Sequence, residues 1–177
     1  MQKKIVLVGG PGTGKSSVLN ELSKRGFMCM EEVSREVTLN AKKQGIDQLF
    51  LEKPILFSEL LLEGRLKQYN NANNIDESIV FFDRGIPDVE AYLKFSNTEI
   101  PKTFSKNSQK HKYNQIFYFH PWAEIYKPDN ERYETFEQST EINQYLINTY
   151  RSHGYQLIDV PFGTIPERVD FILNSIS

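Results

Sequence analysis

Cysteine is almost absent from this sequence of 177 residues, and the shortage excludes two common ways of holding a small protein together. The lone cysteine, Cys29, cannot form a disulfide within the chain. One cysteine is also too few for a cysteine-rich structural zinc site. A chain of this length buries roughly 70% of its extended surface on folding, so we expect a hydrophobic core to hold the fold by itself.

A surplus of one charge is also lacking. Lysine and arginine number 21 and aspartate and glutamate number 23, which gives a formal net charge of −2. Proteins that bind nucleic acids or membrane surfaces broadly need a basic surplus, so neither class of partner is expected. A few cations that converge on one anionic ligand remain compatible with this balance.

Long hydrophobic runs are missing as well. The longest apolar stretch, residues 55–62, is broken by Ser58 and Glu59 and is far shorter than a membrane span of about 20 residues. The first apolar run, residues 5–8, is too short for the core of a signal peptide. We therefore expect a soluble, cytoplasmic protein with a single domain over residues 1–177, either a monomer or a homodimer.

Short apolar runs and helical patterns alternate along the chain. The apolar runs predict strands at residues 5–8, 27–30, 79–82, 116–119 and 155–160. Helical spacing predicts helices over residues 15–25, 32–44 and 54–70, through residues 142–150, and from residue 164 onward. Buried strands that alternate with helices indicate an α/β fold, in which helices cover both faces of a parallel sheet. Polar segments at about 96–114 and 123–135 predict an exposed, mobile insertion and a flexible loop.

A phosphate-binding loop follows the first predicted strand. Its residues match the pattern G-x-x-x-x-G-K-[ST] and are Gly9, Gly10, Pro11, Gly12, Thr13, Gly14, Lys15 and Ser16. Glycines let successive backbone N–H groups turn toward phosphates, and the following helix directs its positive end at them. Lys15 would reach the β- and γ-phosphates, and the Ser16 hydroxyl would bind Mg²⁺. We assign these eight residues and Ser17 to nucleotide binding.

Three classes of protein with this loop compete. A GTPase switch would carry Asn-Lys-x-Asp and Asp-x-x-Gly motifs, and the sequence has neither. A mechanical ATPase would need a further helical domain or a Leu-Ser-Gly-Gly signature, and the signature is absent. A small-molecule kinase needs an acid at a neighbouring strand end, arginines that face the acceptor, and a mobile lid. The sequence contains candidates for each of these parts.

Asp83 and Arg84 stand at the end of the strand predicted at residues 79–82. Asp83 would hold Mg²⁺ or accept a proton from the acceptor hydroxyl, and Arg84 would bind a phosphate. Asp88 would face the same cleft. The simpler interpretations are a strand-end turn with a structural ion pair for Asp83 and Arg84, and an ordinary acidic residue near a helix start for Asp88.

Glu32 and Arg35 follow the second predicted strand. Because they are three residues apart, they share one face of a helix, where they would bind an acceptor hydroxyl and a charged group. Glu31 is a rival of Glu32 and Asp83 for the role of general base. A solvated helix start with acidic residues near its positive end is the alternative.

The polar loop at residues 123–135 would act as a lid whose closure excludes water. Arg132, with Lys127 as the second choice, would neutralise charge on the transferring phosphoryl group. A run of solvated charges is the alternative interpretation. After the last strand, Pro161 would border the adenine ring, although proline and glycine also favour a simple turn there.

With these residues placed, the sequence resembles the AAA-domain family of small P-loop proteins related to the ribosylnicotinamide kinase domain of bacterial NadR. The resemblance extends from Ile5 to about Ile172. Its markers are the loop at 9–16, the segment 32–35, the Asp83-Arg84-Gly85 turn with Asp88, the lid segment 130–132, and the final stretch 154–169. More distantly, the Asp-Arg pair is similar to that of deoxynucleoside and thymidylate kinases. The resemblance implies the strand order 2-3-1-4-5 and ATP as the nucleotide.

The leading hypothesis is a phosphotransferase that depends on ATP and Mg²⁺ and acts on a small nucleoside-like metabolite. The residues assigned to catalysis are Lys15, Glu32, Asp83 and Arg132. Those assigned to the acceptor are Glu32, Arg35, Arg84 and Asp88, and those assigned to the metal are Ser16 and Asp83. Because no motif identifies an acceptor, an ATP-binding NTPase module with a regulatory or partner-switching role is the alternative.

Overall fold

The structure is a computed structural model and describes residues 2–46, 49–127 and 135–176. Within these ranges five strands form one sheet: β1 (Lys3–Val8), β2 (Met28–Met30), β3 (Ile79–Asp83), β4 (Gln115–Phe119) and β5 (Leu157–Val160). The helices in the same ranges are α1 (Lys15–Lys24), α2 (Val33–Lys43), α3 (Leu49–Glu52), α4 (Pro54–Ala72), α5 (Pro87–Phe95), α6 (Lys102–Lys110), α7 (Phe136–Ser152) and α8 (Ile165–Asn174).

The five strands are parallel and lie in the order β2-β3-β1-β4-β5. Both the α/β class and the strand order implied by the resemblance are therefore confirmed. β1 is the central strand, so the loop after Val8 emerges from the middle of one sheet edge. Asp83 ends the neighbouring strand β3, in register with Leu7 of β1. The strand ends that carry the predicted site residues consequently meet at this edge.

Burial on both faces of the sheet explains why β1 is an unbroken apolar run. Ile5 and Leu7 belong to a core shared with α1 and α8 on one face. Val6 and Val8 belong to a second core shared with α4, α5 and α7 on the other face. All four side chains are fully buried, because successive side chains of a strand point to opposite faces and helices cover both.

Local signals place the ends of several helices. Gly26 follows α1 in the left-handed region, with φ of 91°, as expected for a glycine that terminates a helix. A capping box formed by Thr164 and Glu167 begins α8, the helix predicted from residue 164 onward. A second capping box, formed by Thr135 and Gln138, begins α7. Among the described residues, no helix combines the length and the apolar composition needed to cross a bilayer.

The segment of residues 96–114 differs from the expected exposed and mobile stretch. It contains α6, in which Phe104 and Ser108 are buried. Phe104 belongs to the hydrophobic core, and Ser105 and Ser108 both donate hydrogen bonds to Glu90 of α5. Helix α5 has start signals in Pro87 and the acidic residues of its first turn, but it is buried on nearly every side and lacks an amphipathic stripe.

Glu90 joins three helices through a carboxylate that is buried, the residue being 3% exposed. It accepts hydrogen bonds from Ser105 Oγ at 2.9 Å, from the Ser108 hydroxyl, and from His153 Nε2 at 2.9 Å at the end of α7.

Glutamine keeps the size but removes the charge, so a Glu90→Gln variant should lose about 1–3 kcal/mol of unfolding free energy. Urea unfolding at neutral pH measures this loss. The exposed Glu99→Gln change is the control and should have no effect, and an unchanged Glu90→Gln protein would contradict the assignment.

Candidate functional site

The phosphate-binding loop requires its glycines for steric reasons. A Cβ atom on Gly9 would lie 2.6 Å from the carbonyl oxygen of Phe119, and one on Gly10 would lie 2.6 Å from Asn143 Nδ2. Gly12 and Gly14 have φ angles of 75° and 88°, a region that side chains other than glycine rarely adopt. The loop is therefore pressed against β4 and α7 on one side and turns tightly on the other.

Helix α7 holds the loop through two polar side chains that the sequence analysis did not identify. Asn143 Oδ1 accepts a hydrogen bond from the Gly10 N–H at 3.1 Å, and Ser139 Oγ donates to the Pro11 carbonyl at 2.8 Å. Both side chains are buried. The signal was available, because these two polar residues are four apart and continue the buried face of α7 that Leu146 marks.

Lys15 is held inside the loop before any phosphate is bound. Its Nζ donates to the Gly10 carbonyl at 2.9 Å and lies 3.3 Å from Thr13 Oγ1. Burial and the nearby Arg84 guanidinium lower the pKa of Lys15 to about 8. Burial removes the Lys15 ammonium group from water, and bound phosphates would supply hydrogen-bond acceptors in place of that water.

Ser16 and Asp83 form a pair of oxygen donors beside the loop. Ser16 Oγ donates to Asp83 Oδ2 at 3.1 Å. The other carboxylate oxygen, Asp83 Oδ1, is buried and has no hydrogen-bond partner among the described residues. Burial and the charge of Glu32 raise the pKa of Asp83, so a cation would stabilise its ionised form. A hydroxyl, a carboxylate and an unsatisfied oxygen fit the oxygen ligands that Mg²⁺ prefers.

Arg84 connects the phosphate-binding loop with the ends of two strands. Its backbone is left-handed, with φ of 73°, which is unusual for a residue other than glycine and is typical of a strained functional position. Its Nη1 donates to the Gly9 carbonyl at 3.3 Å, and its Nε donates to a carboxylate oxygen of Glu32. The predicted residues Arg84 and Glu32 are therefore in direct contact.

Glu32 lies between two guanidinium groups. Arg65 of α4, which the sequence analysis did not identify, contacts Glu32 Oε1 through Nη2 at 3.3 Å and donates from Nη1 to the Gly85 carbonyl at 2.9 Å. Burial by itself would raise the pKa of Glu32, but the charges of Arg84, Arg65 and Lys15 outweigh it and lower the pKa to about 2. Glu32 is consequently a fixed anion at the start of α2.

Asp88 occupies a position that does not suit direct contact with an acceptor. It is fully buried and accepts hydrogen bonds from the Gly85 N–H at 3.0 Å and from the Tyr150 hydroxyl. One carboxylate oxygen lies 3.5 Å from Arg84 Nη1. Its position instead supports the orientation of Arg84 from the protein interior.

A cleft of about 750 Å³ opens beside the loop between α2, α4 and α5. Lys15, Ser16, Glu32, Arg35 and Arg84 all line it, so it brings together predicted residues from the loop and from two strand ends. Its volume lies within the range of pockets that bind small molecules. Of the two rival glutamates, Glu32 lines the cleft and Glu31 does not.

A second group of side chains lies beyond the loop on the opposite side from the cleft. The Arg168 guanidinium donates to the Thr13 carbonyl at 3.1 Å and lies 5.7 Å from the ring centre of Trp122. Trp122 and Phe162 have ring centres 4.9 Å apart, and Phe162 is 55% exposed. We call Arg168, Trp122 and Phe162 the aromatic platform. Pro161, the predicted adenine neighbour, is exposed and adjoins it in sequence.

The lid residues cannot be placed in the same way. Residues 128–134, and with them Arg132, lie outside the described residues. Lys127 is the last described residue before this gap. The roles proposed for Arg132 and for a lid at 123–135 stay predictions.

Comparison with known proteins gives a family and a fold. A family model described as AAA domain matches residues 4–168 of the chain. No curated protein sequence matches the chain. The fold is similar to that of deoxyadenosine kinase from M. mycoides, with a TM-score of 0.70 and 17% identity over 97% of this chain and 97% of that one.

Two further solved structures have similar folds. A NadR protein in complex with NAD and AMP-PNP has a TM-score of 0.71 and 17% identity, and the match covers 98% of this chain but 49% of that chain. Thymidylate kinase from Candida albicans has a TM-score of 0.65 and 16% identity, with 98% and 90% covered. At these identities the likeness concerns the fold, which is that of P-loop kinases.

The lowered pKa of Lys15 predicts a pH dependence of nucleotide binding. Only the protonated ammonium attracts phosphates, so the affinity for ATP should be level below about pH 8 and fall above it, by up to about tenfold per pH unit. Calorimetric titration with Mg²⁺ and ATP between about pH 7.5 and about pH 9.5 measures the fall. Affinity that stays constant over this range would contradict the position assigned to Lys15.

The contact between Arg65 and Glu32 generates a second prediction. In an Arg65→Met variant, the pKa of Glu32 should rise from about 2 because one of the guanidiniums that lower it is gone. The loss of two buried hydrogen bonds should also reduce the unfolding free energy by about 1–4 kcal/mol. Carboxyl ¹³C NMR titration and urea unfolding measure the two effects. Lys67→Met, an exposed change on the same helix, is the control, and an unshifted Glu32 in Arg65→Met would refute the coupling.

Proposed function

This chain belongs to the AAA domain family, and we propose that it is a kinase that transfers the γ-phosphoryl group of ATP to a hydroxyl group of a small nucleoside-like acceptor. One observation carries the proposal. The Arg84 guanidinium touches both the Gly9 carbonyl of the phosphate-binding loop and the Glu32 carboxylate in the adjoining cleft. A donor site for phosphate and an acceptor site with a fixed anion therefore share one wall, which is the arrangement that phosphoryl transfer requires.

The loop and Lys15 would bind the triphosphate. Backbone N–H groups of residues 12–17 would face its oxygens, and Lys15 would exchange the Gly10 carbonyl for the β- and γ-phosphates. The aromatic platform and Pro161 would border the purine, since flat rings and a guanidinium stack well on a base. Phosphate would be oriented by the loop before the acceptor arrives.

Ser16 and Asp83 would hold Mg²⁺. The hydroxyl and the unpaired, buried oxygen Asp83 Oδ1 support this assignment. When bound, the ion supplies positive charge that neutralises the phosphate oxygens during transfer. The raised pKa of Asp83 would return toward its ordinary range beside such a charge.

Glu32 would orient the acceptor hydroxyl by accepting its hydrogen bond. A pKa of about 2 makes it a weak base, but the loose transition state of phosphoryl transfer needs an aligned hydroxyl more than an early proton transfer. Arg84 would place its charge between the acceptor and the phosphates, and Arg132 would add charge from a closing lid. Asp88 would hold Arg84 in position, and Arg65 would hold Glu32 in position, both from the protein interior.

Release of ADP with and without acceptors tests the proposal. We expect release to rise well above the background rate with at least one member of a panel of ribonucleosides and deoxyribonucleosides, together with a phosphorylated product in the mass spectrum. Slow release that no acceptor accelerates would instead indicate an ATP-binding NTPase module.

A Lys15→Ala variant connects this activity with the loop. Loss of a charged hydrogen-bond donor should weaken ATP binding by about ten- to hundredfold. The Lys24→Ala variant removes an exposed lysine from the same helix and should bind ATP like the parent. Equal ATP affinity of parent and Lys15→Ala would remove the basis of the proposal.

A further inference from the structure

One helix presents a stripe of uncommitted side chains to the cleft. Arg35, Thr38, Leu39 and Lys42 of α2 line it, and their spacing of three, four and seven residues places them on one face of the helix. Leu39 is 58% exposed although it is apolar. Leu39, which lies between the two cations in sequence, adds an apolar side chain to the stripe.

The charges that line the cleft are unbalanced. Its cationic side chains are Lys15, Arg35, Lys42, Arg65 and Arg84, and its acidic side chain is Glu32. Glu32 contacts both Arg84 and Arg65, and Lys15 lies near Asp83 as well. Arg35 and Lys42 have no ion-pair partner among the described residues, and both are exposed. The cleft therefore carries two positive charges that no acidic side chain of the described residues neutralises.

The stripe lies at increasing distance from the carboxylate that would hold the acceptor hydroxyl. Glu32 is the N-cap residue of α2, and Lys42 follows it by ten residues, which corresponds to roughly 15 Å along the helix axis. Arg35 lies only roughly 5 Å along the same axis. Since the side chains of arginine and lysine are long and both residues line the cleft, a molecule about the size of a nucleoside could span the interval from Glu32 to these cations.

Apart from Arg65 and Ser58, the side of the cleft that α4 and α5 form is largely apolar. Phe57 and Leu61 of α4 and Tyr92 and Leu93 of α5 line it. An apolar wall suits a flat ring, and the cations of α2 suit an anionic edge on that ring. The cleft is thus differentiated into a hydroxyl end at Glu32, an apolar side, and a cationic edge.

We propose that the acceptor carries an anionic group, a carboxylate or a phosphate, remote from the hydroxyl that receives the phosphoryl group, and that Arg35 and Lys42 bind this group. The inference rests on the proposed function for the identity of the hydroxyl end. The inference goes beyond the proposed function because it predicts a preference between acceptors of the same shape. A neutral acceptor would leave both cations unpaired.

Three pairs of probes test the preference, each pair keeping the 5′-hydroxyl free. Two pairs add a carboxylate (nicotinamide riboside and nicotinic acid riboside, uridine and orotidine), and one adds a phosphate (adenosine and adenosine 3′-monophosphate). Dissociation constants are measured by calorimetry with ADP and Mg²⁺ present. In each pair the anionic member is the probe that carries the added carboxylate or phosphate; both nicotinoyl ribosides also share a positively charged pyridinium ring. We expect the anionic member of at least one pair to bind about fivefold or more tightly than its counterpart, and the difference to shrink at high salt.

Variants locate the effect. Arg35→Gln and Lys42→Gln should each remove most of the preference, whereas Lys43→Gln, an exposed change on α2 outside the cleft, should keep it. Equal or weaker binding of the anionic member in all three pairs, or no binding of any probe, overturns the inference. So does a preference that survives in both Arg35→Gln and Lys42→Gln.

Phosphorylation of the same probes separates this inference from the kinase proposal. A neutral acceptor that is phosphorylated as well as its anionic counterpart leaves the kinase intact and refutes the anion site. Selective binding of anionic probes without any acceptor-dependent ADP release supports the anion site and refutes the kinase. A higher kcat/KM for the anionic member, reduced in Lys42→Gln mainly through KM, supports both.

Discussion

The buried guanidinium of Arg84 is the group on which the rest of the site depends. A buried charge is tolerated only when it is paired, and losing a partner costs several kcal/mol. Arg84 obtains its partners from Glu32 after β2, from Asp88 in α5 and from the Gly9 carbonyl after β1. These contacts hold the segments that follow β2, β3 and β1, three neighbouring strands, in one arrangement. The left-handed backbone of Arg84 shows that this arrangement is maintained against local strain.

The sheet divides the chemistry between its two faces. α1 and α8 cover one face, and α8 contributes Arg168 to the side of the loop where a purine would lie. α2, α4 and α5 belong to the other face and enclose the cleft that we propose for the acceptor. Because the loop follows the central strand β1, it reaches both sides at once. A ligand that binds across the loop would therefore contact residues carried by both layers of helices, which lie on opposite faces of the sheet.

Much of this arrangement was predictable because the governing signals are local. A strand buried on both faces is an apolar run, and the ends of parallel strands meet, so Glu32 and Asp83 were expected near the loop. Arg65, Asn143 and Arg168 were not identified, because each acts across a long sequence separation from an otherwise ordinary helix position. Helices α5 and α6 were not identified either, since α5 is buried on nearly every side and α6 lies in a polar segment with a single buried aromatic residue, Phe104.

Two carboxylates close to the same lysine have opposite pKa shifts, and the difference separates their roles. Arginines surround Glu32 and lower its pKa, whereas burial and the Glu32 charge raise the pKa of Asp83. Glu32 thus already has its positive partners, and a remaining lone pair suits a neutral hydroxyl donor. Asp83 keeps one buried oxygen without a partner and gains most from a cation. Environments that move two acids apart in this way support the roles that we propose, with Glu32 at the acceptor and Asp83 at the metal.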